Sequence, residues 1–337
     1  MHKVILLTIA IALLFGCTKK EESVTVYTHR HYEADKTIYK SFEEQTGIKV
    51  DVVTASADEL IKRLEDEGEL SPADLLITVD AGRLQRAKGK GLLQTVRSAV
   101  LETAIPSHLR DAENSWFGLT RRARVIAYSP ERVNPEDLST YEALTDEAWK
   151  GRILIRSSQN IYNQSLLASM IAAHGDSTAK SWAAGIVANM ARTPSGNDRD
   201  QMKAVAAGIG DIAIVNTYYL GKLANSKNEE ERAVAEKVKI FFPNQTDRGT
   251  HINVSGAAVT KHSKNKDNAV KLLEFLVADE AQKLFGSGNY EYPAKPGIPP
   301  SDLLNSWGSF KPDNQSINRL GELNPAAVRI FDEVGWR

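Results

Sequence analysis

The chain has 337 residues, 42% of them hydrophobic and 25% charged, and its 42 Lys and Arg nearly balance 43 Asp and Glu. A net charge of −1 excludes a nucleic-acid binder driven by bulk charge, and the length favours two lobes of roughly 100–200 residues each. The single cysteine, Cys17, excludes internal disulfides, thiolate metal clusters and CxxC redox pairs.

At the start, His2 and Lys3 lead into an apolar run from Val4 to Phe15, then Gly16-Cys17. About 12 apolar residues cannot cross a hydrocarbon core that needs roughly 20, so residues 1–16 are expected to be a secretion signal. Leu14-Phe15-Gly16-Cys17 resembles the lipobox of bacterial lipoproteins, which implies cleavage before Cys17, lipid on its thiol and a polar tether over 17–23. The expected location is the periplasm or the outer face of a bacterial membrane.

From Val24 onward, β-branched runs alternate with amphipathic segments, the α/β pattern. Val24–Tyr27 reads as a strand, Tyr32–Thr46 as a helix stopped by Gly47, Ile48–Val53 as a strand and Ala57–Glu67 as a helix. Leu75–Val79 reads as a strand and Ala81–Lys88 as a helix. The alternation returns at Arg152–Ile155, followed by a helix through Ala173, and at Asp211–Val215, followed by a helix over Tyr218–Ala224. Strands joined by helices in this way are expected to be parallel. Gly118–Ser129 and Ile252–Thr260 are long extended runs and read as crossings between lobes. Ser195–Asp200 reads as a turn capping the next helix, and Asn289–Pro300 as a proline-rich loop. The expected architecture is a two-lobed fold with a hinge and an interlobe cleft. Residues 24–122 and 250–337 form lobe 1 and 123–249 lobe 2, with the C-terminal part of 300–337 free to pack on lobe 2.

Three times an apolar strand runs through a polar turn into a helix with tyrosine at or near the helix start: Tyr32, Tyr162, and the pair Tyr218 and Tyr219. In open α/β sheets ligands sit beyond the carboxyl ends of strands, where helix N-termini favour negative charge. Four phenols converging there, without a thiolate or a carboxylate cluster, make a hard oxygen site suited to a highly charged hard cation, Fe³⁺ being the natural candidate.

The strings His31-Tyr32, Ser157-Ser158-Gln159-Asn160-Ile161-Tyr162-Asn163-Gln164-Ser165 and Asn216-Thr217-Tyr218-Tyr219 resemble the motifs of bacterial periplasmic ferric-ion-binding proteins. Those are the substrate-binding subunits of iron ABC importers, and the similarity is to the branch that holds iron with four tyrosines. It runs from about Val24 to the end of the chain and implies the two-lobed, type II periplasmic-binding-protein fold. It also implies that Tyr32, Tyr162, Tyr218 and Tyr219 ligate iron, with His31 as a fifth ligand. Arg122 is expected near the metal, pairing with a ligand phenolate or a small anion such as carbonate. Further implications are a monomer working with ABC permease and ATPase subunits, a membrane contact through the lipid anchor, no nucleic-acid partner and no enzymatic activity. His29, two residues before His31, reads as surface. The alternative reading is a binder of the same fold for a small organic cation such as a polyamine or thiamine, the tyrosines stacking on it. No GxSxG, P-loop, HExxH or GxGxxG is present to suggest an enzyme.

Overall fold

A computed structural model describes residues 22–337, so the signal, the tether up to Glu21 and Cys17 lie outside the described part. The first half begins with β1 (Ser23–Thr28), α1 (Glu33–Thr46), β2 (Lys49–Thr54), α2 (Ala57–Glu67), β3 (Leu75–Thr78), α3 (Ala81–Gly89) and the short α4 (Ala99–Ala104). Local chemistry sets these boundaries. Gly47 adopts φ 72°, left-handed, so its N–H turns back onto the Glu43 carbonyl and ends α1. Ser56 and Glu59 exchange side-chain bonds to each other's backbone N–H and start α2.

After β4 (Phe117–Tyr128) come β5 (Ile153–Leu154), α5 (Ile161–Asn189), α6 (Asp198–Ala206), β6 (Ile212–Asn216), α7 (Thr217–Ala224), α8 (Glu229–Lys237) and β7 (Lys239–Phe241). The chain ends with β8 (Ile252–Val259), α9 (Lys266–Leu276), α10 (Asp279–Asn289), β9 (Tyr292–Pro293), α11 (Asp302–Ser306) and α12 (Ile317–Glu333). Within α5, Gly175 at φ 79° and ψ 166° breaks the helix into two segments, close to where the sequence ends it at Ala173.

Two sheets share one strand. The first runs β2-β1-β3-β8-β4 with β9 added on β4; the second has β4 beside β6 and β7, and β5 beside β6. β4 leaves β8 after Ala123 and joins β6 at Arg124, so it passes unbroken from one sheet to the other. The expectation of parallel pairing holds for β1 with β2 and β3 and for β5 with β6, but β8 and β4 are antiparallel to their neighbours. β8 enters from the far end of the chain, without the crossover helix that forces parallel order. It lies wholly in the first sheet, and residues 242–251 make the return that the sequence assigns to Ile252–Thr260.

There are two buried cores; the first covers the first sheet and continues along one face of the second through Val125, Leu154, Ala213 and Val215, and the second packs on that sheet's other face. The first gathers Val24, Val26, Ile38, Phe42, Leu60, Leu75, Phe117 and Leu272; the second gathers Ile126, Tyr141, Ile153, Leu167, Trp182 and Ile214. Leu320, Ile330, Phe331 and Trp336, in and just after α12, complete the second core. Among the described residues no helix is long and apolar enough to cross a membrane.

Candidate metal centre

Tyr32 is the N-cap of α1, with extended backbone and no side-chain capping bond, so its phenol is free to turn away from the helix. Behind it, Arg30 is 3% exposed and gives Nε and Nη2 to the Asp35 carboxylate at 3.1 and 2.9 Å, and Nη1 to Glu291 Oε2 at 2.9 Å. Its guanidinium carbon lies 4.9 Å from the Tyr32 ring centroid. The Arg30 ion group therefore backs the tyrosine with a fixed, buried charge pattern.

Tyr162 opens α5, where the Asn160 side chain caps its N–H at 3.2 Å. Tyr218 and Tyr219 open α7 directly after β6, and at this turn strand alternation gives way to helix, leaving their rings 4.2 Å apart. The Tyr162 and Tyr218 phenol oxygens are 3.2 Å apart. Tyr32 belongs to the same electrostatic group: besides burial, its phenol is raised by Glu291 and by the facing Tyr162. Burial and then Tyr162, Tyr219 and Tyr32 hold the Tyr218 phenol well above its ordinary range; burial, Tyr162 and Asp198 do the same for Tyr219. Without a cation, ionising one phenol makes the next harder to ionise. A highly charged cation inverts that field.

Three guanidinium groups surround the Tyr162 ring, Arg122 at 5.5 Å, Arg156 at 5.7 Å and Arg124 at 5.8 Å. Arg122 is 2% exposed, reaches Asp80 at 3.5 Å and keeps Nη1 buried without a partner. His31 is exposed at the rim, its ring centroid 5.3 Å from that of Tyr32. Contrary to its surface reading, His29 is half-buried with Nδ1 unpartnered, because the turn after β1 folds inward. It lines a cavity of about 360 Å³ between Asp80 and Arg83 on one side and Arg156, Ser157 and Asn160 on the other. Burial, then the charges of His31 and Arg83, lower its pKa.

Sequence reasoning missed three contributors. Asp80, fully buried, caps α3 at Gly82 N (2.8 Å) and receives Asn253 Nδ2 at 2.8 Å and Ser165 Oγ of α5 at 3.1 Å. Burial raises its pKa while Arg122 works against the rise. Asp198 takes Arg124 Nη1 at 2.7 Å and the Asn216 N–H at 2.8 Å, fixing the turn that carries Tyr218 and Tyr219. Lys222, one helical turn beyond Tyr218, lays its ammonium 3.7 Å from the Tyr32 ring centroid. Burial lowers its pKa to about 8, which still leaves it mostly charged at neutral pH. The position of Asp80 carried a signal, since it follows β3 and starts a helix as the tyrosines do.

Lys222 on α7 grips Tyr32 on α1, so Lys222→Met is expected to remove a contact worth about 0.5–2 kcal/mol. Small-angle scattering of the metal-free variant should show a larger radius of gyration; an unchanged curve would count against a Lys222 contribution to closure.

Among the described residues no three His, Cys, Asp or Glu side chains come together to hold a metal. The phenol cluster thus concentrates the hard donors. It can bind a cation that displaces phenolic protons, from two lobes at once.

Comparison with known proteins agrees with this chemistry. The family described as bacterial extracellular solute-binding protein matches residues 71–309. The iron uptake proteins A1 and A2 of Synechocystis are each 48% identical; the alignments cover 94% of this chain and 88% and 91% of theirs. A Trichodesmium protein, IdiA or FutA, solved in complex with iron and citrate ligands, superposes with a TM-score of 0.91 at 51% identity, covering 94% of this chain and all of that one.

Proposed function

The chain belongs to the bacterial extracellular solute-binding protein family, with the two-lobed type II fold, and from that premise we propose that it captures ferric iron for an ABC importer. It is not an enzyme; its relatives carry iron. In this reading Tyr32, Tyr162, Tyr218 and Tyr219 ligate Fe³⁺ as phenolates, His31 joins from the rim, and the permease and ATPase subunits receive the ion. Cys17 carries a lipid that holds the chain outside the cytoplasm.

One observation carries the reading: phenols from two separate strand-to-helix turns meet, Tyr162 and Tyr218 at 3.2 Å and Tyr218 against Tyr219, and Tyr32 of a third turn shares their electrostatic field. Four phenolates around Fe³⁺ leave one net negative charge, which Arg122 beside Tyr162 offsets, so a small anion such as carbonate is not required for neutrality. The same guanidinium groups speak against the organic-cation alternative: a polyamine or thiamine stacked on neutral phenols meets their repulsion uncompensated, whereas Fe³⁺ ionises the phenols and is balanced by the phenolates. Iron binds the closed arrangement better than the open one, and only that difference drives closure.

A visible spectrum with metal analysis, on protein purified without added iron, tests the function. Ferric phenolate absorption with about one iron per chain is expected, and a colourless, iron-free chain that takes up no added Fe³⁺ would overturn it. The phenols are protonated before binding, so adding Fe³⁺ in weak buffer should release about one proton per ligating tyrosine. Bound-state phenol pKa values are depressed, so affinity is full at high pH and is lost as pH falls. Titrating the visible band in wild type and His31→Ala should show the variant losing iron over a displaced range; superimposable curves would remove His31 from the ligand set.

A further inference from the structure

We propose that the chain carries a second ligand site, behind the metal centre, for a small organic acid with an apolar body. Arg121 and Arg122 are adjacent on β4, and strand alternation sends their side chains to opposite faces. Arg122 enters the cleft. Arg121 instead lines a separate cavity of about 310 Å³ with Tyr292, Pro300, Leu304, Phe310 and Pro312.

Arg121 has no counter-charge there and the Tyr292 hydroxyl no partner among the described residues. Arg30, Arg122, Arg124 and Arg248 each face a carboxylate, whereas no ion pair to Arg121 exists among the described residues. Its Nε gives one hydrogen bond, to the Pro293 carbonyl at 2.9 Å. The Tyr292 hydroxyl is buried without a partner, and His108 feels the Arg121 charge as a second basic neighbour. Burial lowers the Arg121 pKa, with Tyr292 opposing, which is the mark of a guanidinium left without a counter-charge.

Apart from Asn305 and Ser309, the rest of the wall is apolar and firmly built. Phe310 stacks on Phe242 at 4.5 Å and meets Tyr292 edge-on at 5.2 Å, while Leu304 is fully buried. A carboxylate fits the free edge of the guanidinium in bidentate fashion, Tyr292 O–H can donate to it, and an aromatic or branched body covers Phe310 and Leu304. The volume is at the small end for ligand pockets, which favours a compact acid over a peptide. β4 supplies Arg121 and β9 supplies Tyr292, so the occupant would sit on the strand that joins the two sheets.

Benzoate added to the metal-free protein, followed by calorimetry, tests the site. A dissociation constant of about 1 mM or tighter is expected. Arg121→Gln should weaken binding at least about tenfold and Tyr292→Phe about threefold, while Arg122→Gln leaves it unchanged. Benzamide, which lacks the charge, and acetate, which lacks the ring, should each bind at least about tenfold more weakly. Absence of benzoate binding, equal binding of benzamide, or loss through Arg122→Gln rather than Arg121→Gln would overturn the proposal. Circular dichroism checks that Arg121→Gln is folded; if it is not, Tyr292→Phe and the benzamide comparison decide.

Discussion

Replacing Tyr218 and Tyr219 together by Phe is expected to abolish the visible band and weaken Fe³⁺ binding by about a thousandfold or more, roughly 4 kcal/mol. The two phenols leave one turn of one helix, so their loss removes half of the proposed phenolates and leaves Tyr162 and Tyr32 on separate elements. Ring packing at 4.2 Å survives the change. The lost hydroxyl contact between Tyr218 and Tyr162 costs only about 1 kcal/mol of fold stability, so thermal unfolding of the metal-free chain should move little. Tyr32→Phe is the comparison: three phenols remain together, so colour should persist while retention against a competing chelator falls by about ten- to a hundredfold. Equal losses from the double and the single change would contradict an assembly in which Tyr32 closes last.

Arg30→Met is expected to destabilise the fold by about 3–5 kcal/mol, because it strands the buried carboxylates of Asp35 and Glu291. Burial alone would raise the Glu291 pKa; the charges of Arg30 and Arg122, with the Asn289 hydrogen bond, outweigh it and hold the carboxyl below its ordinary value. A depressed carboxyl pKa contributes stability that is present above the unfolded value of about 4.3 and is lost as pH falls through the folded value. The variant lacks that contribution, so the difference in melting temperature between wild type and Arg30→Met should narrow below about pH 4. A constant difference from pH 7 to pH 3 would place the effect in packing instead of charge. Iron retention should fall too, since Arg30 stands 4.9 Å behind the Tyr32 ring.

The tyrosine turns were legible because each joins a local strand pattern to a local helix pattern, and position at a strand end carries chemical meaning in itself. Asp198 was hidden for the opposite reason. It reads as part of an ordinary helix cap, and only the folding of Arg124 and Asn216 onto it, from two other strands, makes it a support of the centre. Lys222 is similarly mute in sequence, since its partner Tyr32 lies far away in the chain. The antiparallel seat of β8 depends on the path the chain takes between sheets, which neither periodicity nor composition encodes. The sequence leaves the C-terminal part of 300–337 free to pack on lobe 2; Leu320, Ile330 and Phe331 of α12 join the second core, and the same helix also lies against α3, contacts between distant segments that local pattern does not encode.

The seat of β8 also dictates an order of events during biogenesis. β3 and β4 are separated by a strand that emerges only once residues 252–259 have been made, so for most of synthesis β3 presents a bare edge of Leu75, Leu76 and Ile77. Such an edge is a template for pairing with another chain. The nascent protein therefore needs to be kept extended or shielded until its last third is available, and truncation anywhere before β8 should yield an aggregating fragment in place of a working half.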